Sequence, residues 1–416
     1  MVKRWRIRIL LFLAVLGPGF ITANVDNDTG GILTYSQAGA QYGYTLLWTM
    51  LPITIALIVV QEMCARMGVV TGKGLSDLIR EEFGLRLTFI LMVLLLVVNY
   101  TNVVTEFIGI AGSLHLFHVT KYISVPFCAA LVWYMVVKGS YKSTEKIFLV
   151  ASVVYIAYIF AGVLSQPSWH DALKATVTLP ARSVWGDKAY MYMAIGVVGT
   201  TIAPWMQFYL QSSIVEKGIR VKDYAASRLD VIVGSFFTDL VAWFIVVACA
   251  ATLYVHGMGA IQVASDAAEA MRPLAGDYAF ILFAFGLFNA SLFAASILPI
   301  STAYTVCEGM GFESGVDKSF KEAPFFYWLY TLLIVGGAAA VLVLPDAMLI
   351  KFAILSQVLN GVLLPVVIIL MLLLINRKDL MGEHKNSTLW NGIAWGTSLI
   401  VIGMTMVMLW GLMPGH

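Results

Sequence analysis

The feature that most limits what this chain can fold into is a break inside a membrane-length apolar run. Apolar sequence enters the stretch GPGFITANVDNDTGGILTYSQAGAQYGY, residues 17–44, from Ile7 and leaves it from Ile32. Between them stand Asn24, Asp26, Asn27, Asp28, Thr29 and the pair Gly30–Gly31. A helix interrupted at bilayer depth leaves carbonyls and half-helix ends unpaired, which is tolerated only where the backbone is buried in protein or lines a cavity. Discontinuous helices are where transporters place ions. Carboxylates and free carbonyls, without thiolate or imidazole, suit a hard cation. The stretch therefore points to the passage of a metal ion.

Composition supports a membrane setting. Of 416 residues 60% are hydrophobic and 12% charged, with a mean hydropathy of +0.85, which defines a polytopic membrane protein. Eleven spans are predicted, at about 8–41 (broken), 45–65, 87–114, 122–137, 147–165, 189–214, 229–255, 275–306, 325–344, 347–375 and 391–411. Of the 26 Lys and Arg residues, 20 fall in the segments that share a side with the N-terminus, beginning with Lys3, Arg4, Arg6 and Arg8, and 6 fall opposite. That bias orients the chain N-inside and C-outside. The four cysteines, Cys64, Cys128, Cys249 and Cys307, lack CxxC spacing and read as small apolar fillers. The six histidines lie in loops or near span ends. Residues 3–23 imitate a signal peptide, but the apolar run continues past Gly31 and ten spans come after it, so they are expected to stay as an uncleaved helix. The GxG of VVTGKGLSDLIREEFG reads as a turn before a short helix capped by Ser76, not as a nucleotide site. No soluble domain fits between spans, and no nucleophile–base pair is visible, so neither an enzyme nor a nucleic-acid binder is expected.

A second interruption lies in GVVGTTIAPWMQFYLQSSIVEKG, where Gly196, Gly199 and Pro204 fall in the middle of the sixth span. Pro204 removes a donor and clashes with the preceding turn, freeing carbonyls near Thr200 and Thr201. Spans one and six hold corresponding places in two five-span units, and because five is odd the second unit must be inverted. Matched interruptions in inverted halves indicate a binding site near the bilayer midplane. The expected organisation is one transmembrane domain, with repeats at 1–165 and 189–376 and an eleventh helix at 391–411.

Several of these segments are similar to one family. GPGF at 17–20, Asp28, and QAGAQYGYTLLW at 37–48 resemble the first span of the Nramp divalent-metal transporters, and GVVGTTIAPW at 196–205 resembles the sixth. EFIG at 106–109 and SQV at 356–358 resemble its third and tenth spans, and LLINRKDLMGEH at 373–384 resembles the end of the tenth and the loop beyond it. The resemblance implies an all-α LeuT-type fold, two inverted five-helix repeats plus one extra helix, with helices 1 and 6 broken. It also implies no cofactor, the metal being cargo. The departures are specific. The family's Asp-Pro-Gly-Asn falls on Asp28-Thr29-Gly30-Gly31, and its Met-Pro-His on Ala203-Pro204-Trp205. Its third span has an Asp three residues before the Glu, where this chain has Val103 before Glu106. The family's tenth-span Gln falls near Leu363, with Gln357 and Asn360 on neighbouring turns. This pattern resembles the divergent Nramp-related magnesium transporters.

The resemblance and the residues together assign expected roles. Asp28 is the carboxylate ligand, direct or through water. Gly31 and Ala203 line the site by what they lack. Thr200 offers its carbonyl. Gln357 and Asn360 either hold ligands or waters or bond helix to helix. Asp26 faces either this cavity or the outer vestibule, and Trp205 is either a gate or a core side chain. Glu106 and Asp239 are carboxylates inside spans, where a charge needs a function or a partner. Glu62, Asp230 and Glu308 read as solvated or interfacial. Loss of the thioether abandons preference for softer ions, and the roomier site suits Mg²⁺, which keeps part of its water shell, with Mn²⁺ still accepted. The expectation is uncoupled import of Mg²⁺ or Mn²⁺ by a monomer in a cell membrane, a bacterial inner membrane. The alternatives are a proton-coupled Mn²⁺/Fe²⁺ importer, in which Met206 restores a sulfur ligand, and a LeuT-fold amino-acid symporter, which the acidic break disfavours.

Overall fold

A computed structural model describes residues 17–138, 141–257, 259, 261 and 266–411. The start of the first predicted span and the basic residues Lys3, Arg4, Arg6 and Arg8 lie outside these residues.

The described chain is helical. The interrupted first span forms α1 (Pro18–Val25) and α2 (Thr29–Tyr42), with Pro18 in the first helical turn, where its missing N–H costs nothing. Gly43, at φ +57°, ends α2 and starts a 3₁₀ turn, Gly43–Thr49, that delivers the chain to α3 (Met50–Thr71). A positive φ is open to glycine without steric cost, and the turn divides an apolar run that would otherwise be too long for one bilayer crossing. Next come α4 (Leu75–Phe83), α5 (Leu85–His115), α6 (Lys121–Lys138), α7 (Tyr141–Val154), α8 (Ile156–Leu164) and α9 (Trp169–Val177). The second interrupted span gives α10 (Lys188–Thr201) and α11 (Pro204–Glu216). The rest are α12 (Tyr224–Cys249), α13 (Asp266–Met310, kinked at Gly276), α14 (Pro324–Val343), α15 (Asp346–Ile375), the short α16 (Lys378–Met381) and α17 (Thr388–Gly411).

Among the described residues nine helical runs are long and apolar enough to cross a membrane, and a tenth if the pair Leu149–Leu164 and Trp169–Val177, bent by 117°, is taken as one. One of the nine, Thr29–Thr71, covers the end of the first predicted span and the second, on either side of the Gly43 turn. The short helix after Lys73 begins at Leu75 behind Gly74, with no side-chain cap. Ser76 instead turns inward and donates to Met92 Sδ, so its expected capping role is corrected.

Both interrupted helices sit at the centre. Every residue from 17 to 40 and from 193 to 214 is buried. The apolar side chains left exposed, such as Phe89 and Val97 on α5, Phe127 on α6, and Trp328 and Leu332 on α14, belong to the surrounding helices. A helix buried on all sides needs no amphipathic pattern, which is why both broken segments tolerate polar residues. Segments predicted to share a side also meet. Arg66 donates to the His384 and Lys385 carbonyls at 3.1 and 3.2 Å, Arg80 to the Glu308 carbonyl at 2.8 Å, and Glu216 accepts from Asp317 N at 3.1 Å. At the opposite end Lys121 pairs with Asp346 at 2.7 Å, and Trp48 Nε1 donates to Tyr190 OH at 3.1 Å.

Candidate metal-ion site

The first break is a three-residue interval, Asp26-Asn27-Asp28, between two helices. Asp28 closes it: its backbone turns extended (ψ −177°) and its Oδ1 accepts from Gly31 N at 2.7 Å, the standard use of a carboxylate at a helix start. Glu106 on α5 adds a second acceptor, taking the Thr29 amide at 3.1 Å, so two carboxylates serve the first turn of α2. They adjoin each other, and Glu106 Oε1 has no hydrogen-bond partner. The Thr29 hydroxyl bonds Ser291 Oγ at 2.6 Å, anchoring the break to α13. Asn27 anchors it to α12, donating to the Thr238 carbonyl at 2.9 Å and Oγ1 at 2.6 Å.

At the second break α10 ends at Thr201, and Ala203, extended at φ −68° and ψ 138°, leads to Pro204 at the start of α11. Proline has no N–H, so the Thr200 carbonyl lacks the donor that a continuous helix would supply four residues on. The Thr200 hydroxyl is buried without a partner. Thr201 is already committed, donating to the Val197 carbonyl at 2.8 Å and sharing a 2.7 Å bond with Tyr35 OH. Turned to donate, the Gln207 amide lies 2.6 Å from the Ala203 carbonyl and covers that side of the break.

The two breaks meet at Gly31. A Cβ placed there would stand 2.5 Å from the Asp26 carbonyl oxygen, 3.1 Å from Thr200 Oγ1 and 3.5 Å from Asp28 Oδ1. Three oxygens from both interrupted helices thus crowd around the Gly31 Cα, where no side chain fits. The neighbouring Gly30 is covered by Gln357: a Cβ at Gly30 would overlap the Gln357 side-chain amide. Gln357 Oε1 accepts from Asn360 at 2.9 Å, and Asn360 exchanges bonds of 3.0 and 3.1 Å with Asn102, one turn before Glu106 on α5. Gln357 Nε2 donates to Ser356 Oγ at 3.1 Å. Gln357 therefore reaches the break, whereas Asn360 bonds helix to helix one step behind it. Leu363 is a buried apolar side chain.

Trp205 is 1% exposed, its carbonyl accepting from Ser301 Oγ at 3.1 Å and its ring 6.3 Å from Tyr209, a packed position on α11. Asp26 and Asp239 are buried, and none of their four carboxylate oxygens has a hydrogen-bond partner. Among the described residues no three His, Cys, Asp or Glu side chains gather closely enough to hold a metal. The donor set at Gly31 is one carboxylate with carbonyl and hydroxyl oxygens, which suits a hard ion that retains water.

Three carboxylates read as solvated or interfacial are buried and not solvated. Asp230 accepts from the Gly17 and Gly19 amides at 2.8 Å each and from Phe20 N at 3.1 Å, capping the N-terminus of α1. Glu62 is 2% exposed, paired with Arg66 at 3.0 Å and accepting from Tyr224 OH. Glu308 packs against Gly74 and keeps one oxygen without a partner. Sequence reasoning passed over Asn27, Asn102, Thr238 and Ser291. Asn27 alone carried a signal, an amide beside two carboxylates in the break.

Two helices broken face to face, with oxygens from both at one buried point, define a transporter of the LeuT-type fold. Solved structures share it: a manganese transporter of Eremococcus coleocola, seen as a point mutant, superposes with a TM-score of 0.76 at 20% identity over 95% of this chain and 86% of that one. The same transporter bound to an aromatic bis-isothiourea compound superposes equally, at 21% identity. A family profile, "Nramp: Natural resistance-associated macrophage protein-like", matches residues 19–411, and the chain belongs to that family of metal transporters, which are not enzymes and carry no cofactor. Among curated relatives, the "Divalent metal cation transporter MntH" of Chromohalobacter salexigens is 26% identical over 100% of this chain and 94% of its own length. That of Deinococcus radiodurans is 26% identical over 98% and 91%.

Proposed function

We propose that the chain carries Mg²⁺, and Mn²⁺ as well, through the Gly31 site as a partly hydrated ion. The meeting of the Asp26 carbonyl, the Thr200 hydroxyl and the Asp28 carboxylate around Gly31, between the two breaks, carries this reading. Mn²⁺ enters because the relatives are divalent-metal and manganese transporters, Mg²⁺ because no thioether stands at Ala203 and every donor at the point is oxygen. Asp28 holds the ion, and the Thr200 carbonyl and hydroxyl complete the protein's share of its shell. Gln357 orders the water on the Gly30 side, and Asn360 fixes Gln357. The mechanism is alternating access, in which the two interrupted helices rock against the rest of the bundle and expose the site to either side in turn. Import runs inward in a monomer placed N-inside in a bacterial inner membrane. Two charges moving down 100 mV gain about 4.6 kcal/mol, so no proton is needed to drive entry.

The second reading is proton-coupled Mn²⁺ transport, favoured by the adjoining carboxyls of Asp28 and Glu106, which are able to hold a proton between them and release it to an arriving cation. Liposomes loaded with a Mg²⁺ dye and a pH dye, held negative inside, separate the two. Mg²⁺ entry without acidification, abolished in Asp28→Asn, is expected. Asparagine caps a helix about as well as aspartate, so this variant removes the charge and leaves the break intact. Acidification that tracks metal entry overturns the uncoupled mechanism, and failure of Mg²⁺ to enter where Mn²⁺ does overturns the proposed selectivity.

A further inference from the structure

Helix α9 has an apolar edge that the bundle does not cover. Gln166, at φ +46°, and the buried Pro167 turn the chain after α8, so that α9 runs at 117° to the helix before it instead of continuing across the membrane. It is tied at both ends, to α8 through residues 165–168 and to the start of α10 through residues 178–187. It packs on the 43–49 turn, and so lies at the end of the bundle that holds Trp48 and Tyr190.

At 3.6 residues per turn α9 divides into three faces. Ala172, Ala175 and Thr176 form the face turned to the protein: Ala172 is fully buried, and Trp243 Nε1 on α12 donates to Thr176 Oγ1 at 2.8 Å. Trp169, Leu173 and Val177 fall within about 80° of one another on the adjoining face. They are exposed by 41, 59 and 72%, and Leu179, just beyond the helix, by 71%. His170, Asp171 and Lys174 fill the third face and are exposed. Trp169 sits where the first two faces meet, its ring 6.4 Å from that of Trp243 at an interplanar angle of 15°.

Water accounts for the third face but not for the second, a continuous apolar strip. An apolar strip beside a charged one, on a helix held between two spans, fits the boundary of a bilayer, where apolar side chains enter the acyl region and charged ones stay in water. Tryptophan favours that depth, and Trp48 and Trp185, with rings 5.2 Å apart, stand at the same end. Re-entry into the hydrocarbon is opposed by the third face, because Asp171 and Lys174 would lose their water there. A second protein chain is opposed by area, since four side chains on one short helix offer far less than the ~800 Å² per partner of a stable interface.

We infer that α9 lies in the interface of the leaflet at that end, with Trp169, Leu173, Val177 and Leu179 seated among phospholipid headgroups and the upper acyl carbons. The partner is the phospholipid of the bilayer. Because the same helix touches α12 and the turn that follows α2, the leaflet holds the far end of the first interrupted span. The inference is independent of which ion is carried.

The test is a depth measurement on the full chain in phospholipid nanodiscs, where both membrane faces are open to water. Bimane is attached in Leu173→Cys, Val177→Cys, His170→Cys and Lys174→Cys, each made singly; the four native cysteines are buried. The quenchers are iodide in the water and a phospholipid with a nitroxide near the top of its acyl chain. Labels at 173 and 177 are expected to be quenched several-fold more by the lipid, and several-fold less by iodide, than labels at 170 and 174. All four positions are exposed, so the core is untouched, and gel filtration confirms that each variant is folded. Equal iodide quenching at all four puts the edge in water and overturns the inference. Protection of 173 and 177 from both quenchers means that protein covers them, a second copy or another chain, and also overturns it. Lipid quenching as strong at 170 and 174 makes α9 re-entrant, with the same consequence.

Discussion

Replacing Asp230 by alanine tests how the first helix is held. The Asp230 carboxylate takes three backbone amides at the N-terminus of α1, those of Gly17, Gly19 and Phe20, at 2.8, 2.8 and 3.1 Å. The approach is close because glycines face each other: a Cβ on Gly19 would stand 2.9 Å from Asp230 Oδ2, and one on Gly234 would stand 2.7 Å from Phe20 Cα. Alanine leaves three buried donors unpaired, at about 1–3 kcal/mol each, so the docked position of α1 loses at least about 3 kcal/mol relative to one in which water reaches those amides. Each 1.4 kcal/mol is tenfold in population, so α1 is expected to undock about 100-fold more often. The assay is the maleimide labelling rate of a cysteine introduced at Thr22, a fully buried position on α1, resolved by mass spectrometry. The four native cysteines, all buried, serve as folding controls in the same sample. Labelling at residue 22 should rise about 100-fold in Asp230→Ala, with the native sites unchanged. Asp230→Asn should fall between, because its single carbonyl oxygen still serves Gly17 and Phe20, which share Oδ1, but turns a donor towards Gly19. Equal rates at residue 22 in wild type and Asp230→Ala would refute the clamp. A parallel rise at the native cysteines would show general unfolding instead.

Two alanine substitutions with similar chemistry should part company. In Gly30→Ala the new methyl meets the flexible end of Gln357, so the amide swings aside: Mn²⁺ binding should weaken while the melting temperature stays near wild type. In Gly199→Ala the methyl meets the Gln357 carbonyl and the Gly361 backbone, which cannot move without separating α10 from α15, so a loss of about 1–3 kcal/mol or more is expected in thermal unfolding. Arg66→Ala deprives the buried Glu62 of its cation and frees the 384–386 segment, and should cost about 3–5 kcal/mol in the same measurement.

Much of this architecture is legible in the sequence because a bilayer imposes strong rules. Apolar run length located the helices, and the two breaks were visible because carboxylates, paired glycines and a proline are costly in a continuous buried helix. Family resemblance put Asp28, Gly31 and Thr200 in one expected site, although periodicity alone would have left them scattered along the chain, but it put the tenth-span Gln near Leu363 and left Gln357 as one of two candidates on neighbouring turns. What the sequence concealed is pairing. Asp230 looks like any charge near a span end until Gly17 and Gly19 are found against it, and Glu62 looks solvated until Arg66 and Tyr224 close over it. Asn102 and Thr238 carry no local signal, because an amide or hydroxyl within an apolar helix reads the same whether it supports an ion site or bonds to its own backbone. Long-range partners of polar residues depend on helix packing, which a single sequence does not encode in any local pattern.

Selectivity is where the altered motif is put to work, and the geometry narrows how it is tested. Restoring both lost ligands of the family pattern, as Ala203→Met with Gly31→Asn, mixes two effects. A Cβ at Gly31 would press on the Asp26 carbonyl at 2.5 Å, so asparagine there moves the break itself. Ala203→Met is the clean experiment. Ala203 is 2% exposed, sits in extended backbone that any residue adopts, and precedes Pro204 at the start of α11, so the thioether is added without changing a backbone angle. On the proposed reading the ion passes this break, and a sulfur carried at residue 203 displaces part of the water that it retains. Mg²⁺ gives up water reluctantly and gains little from sulfur, whereas Mn²⁺ accepts the softer ligand more readily. Competition uptake in liposomes should therefore show the Mn²⁺ preference of Ala203→Met rise about tenfold, through weaker Mg²⁺ transport more than stronger Mn²⁺ transport, a shift of about 1.4 kcal/mol in relative binding. An unchanged ratio, with the protein folded and Mn²⁺ still transported, would mean that the ion does not pass residue 203 closely enough to touch it.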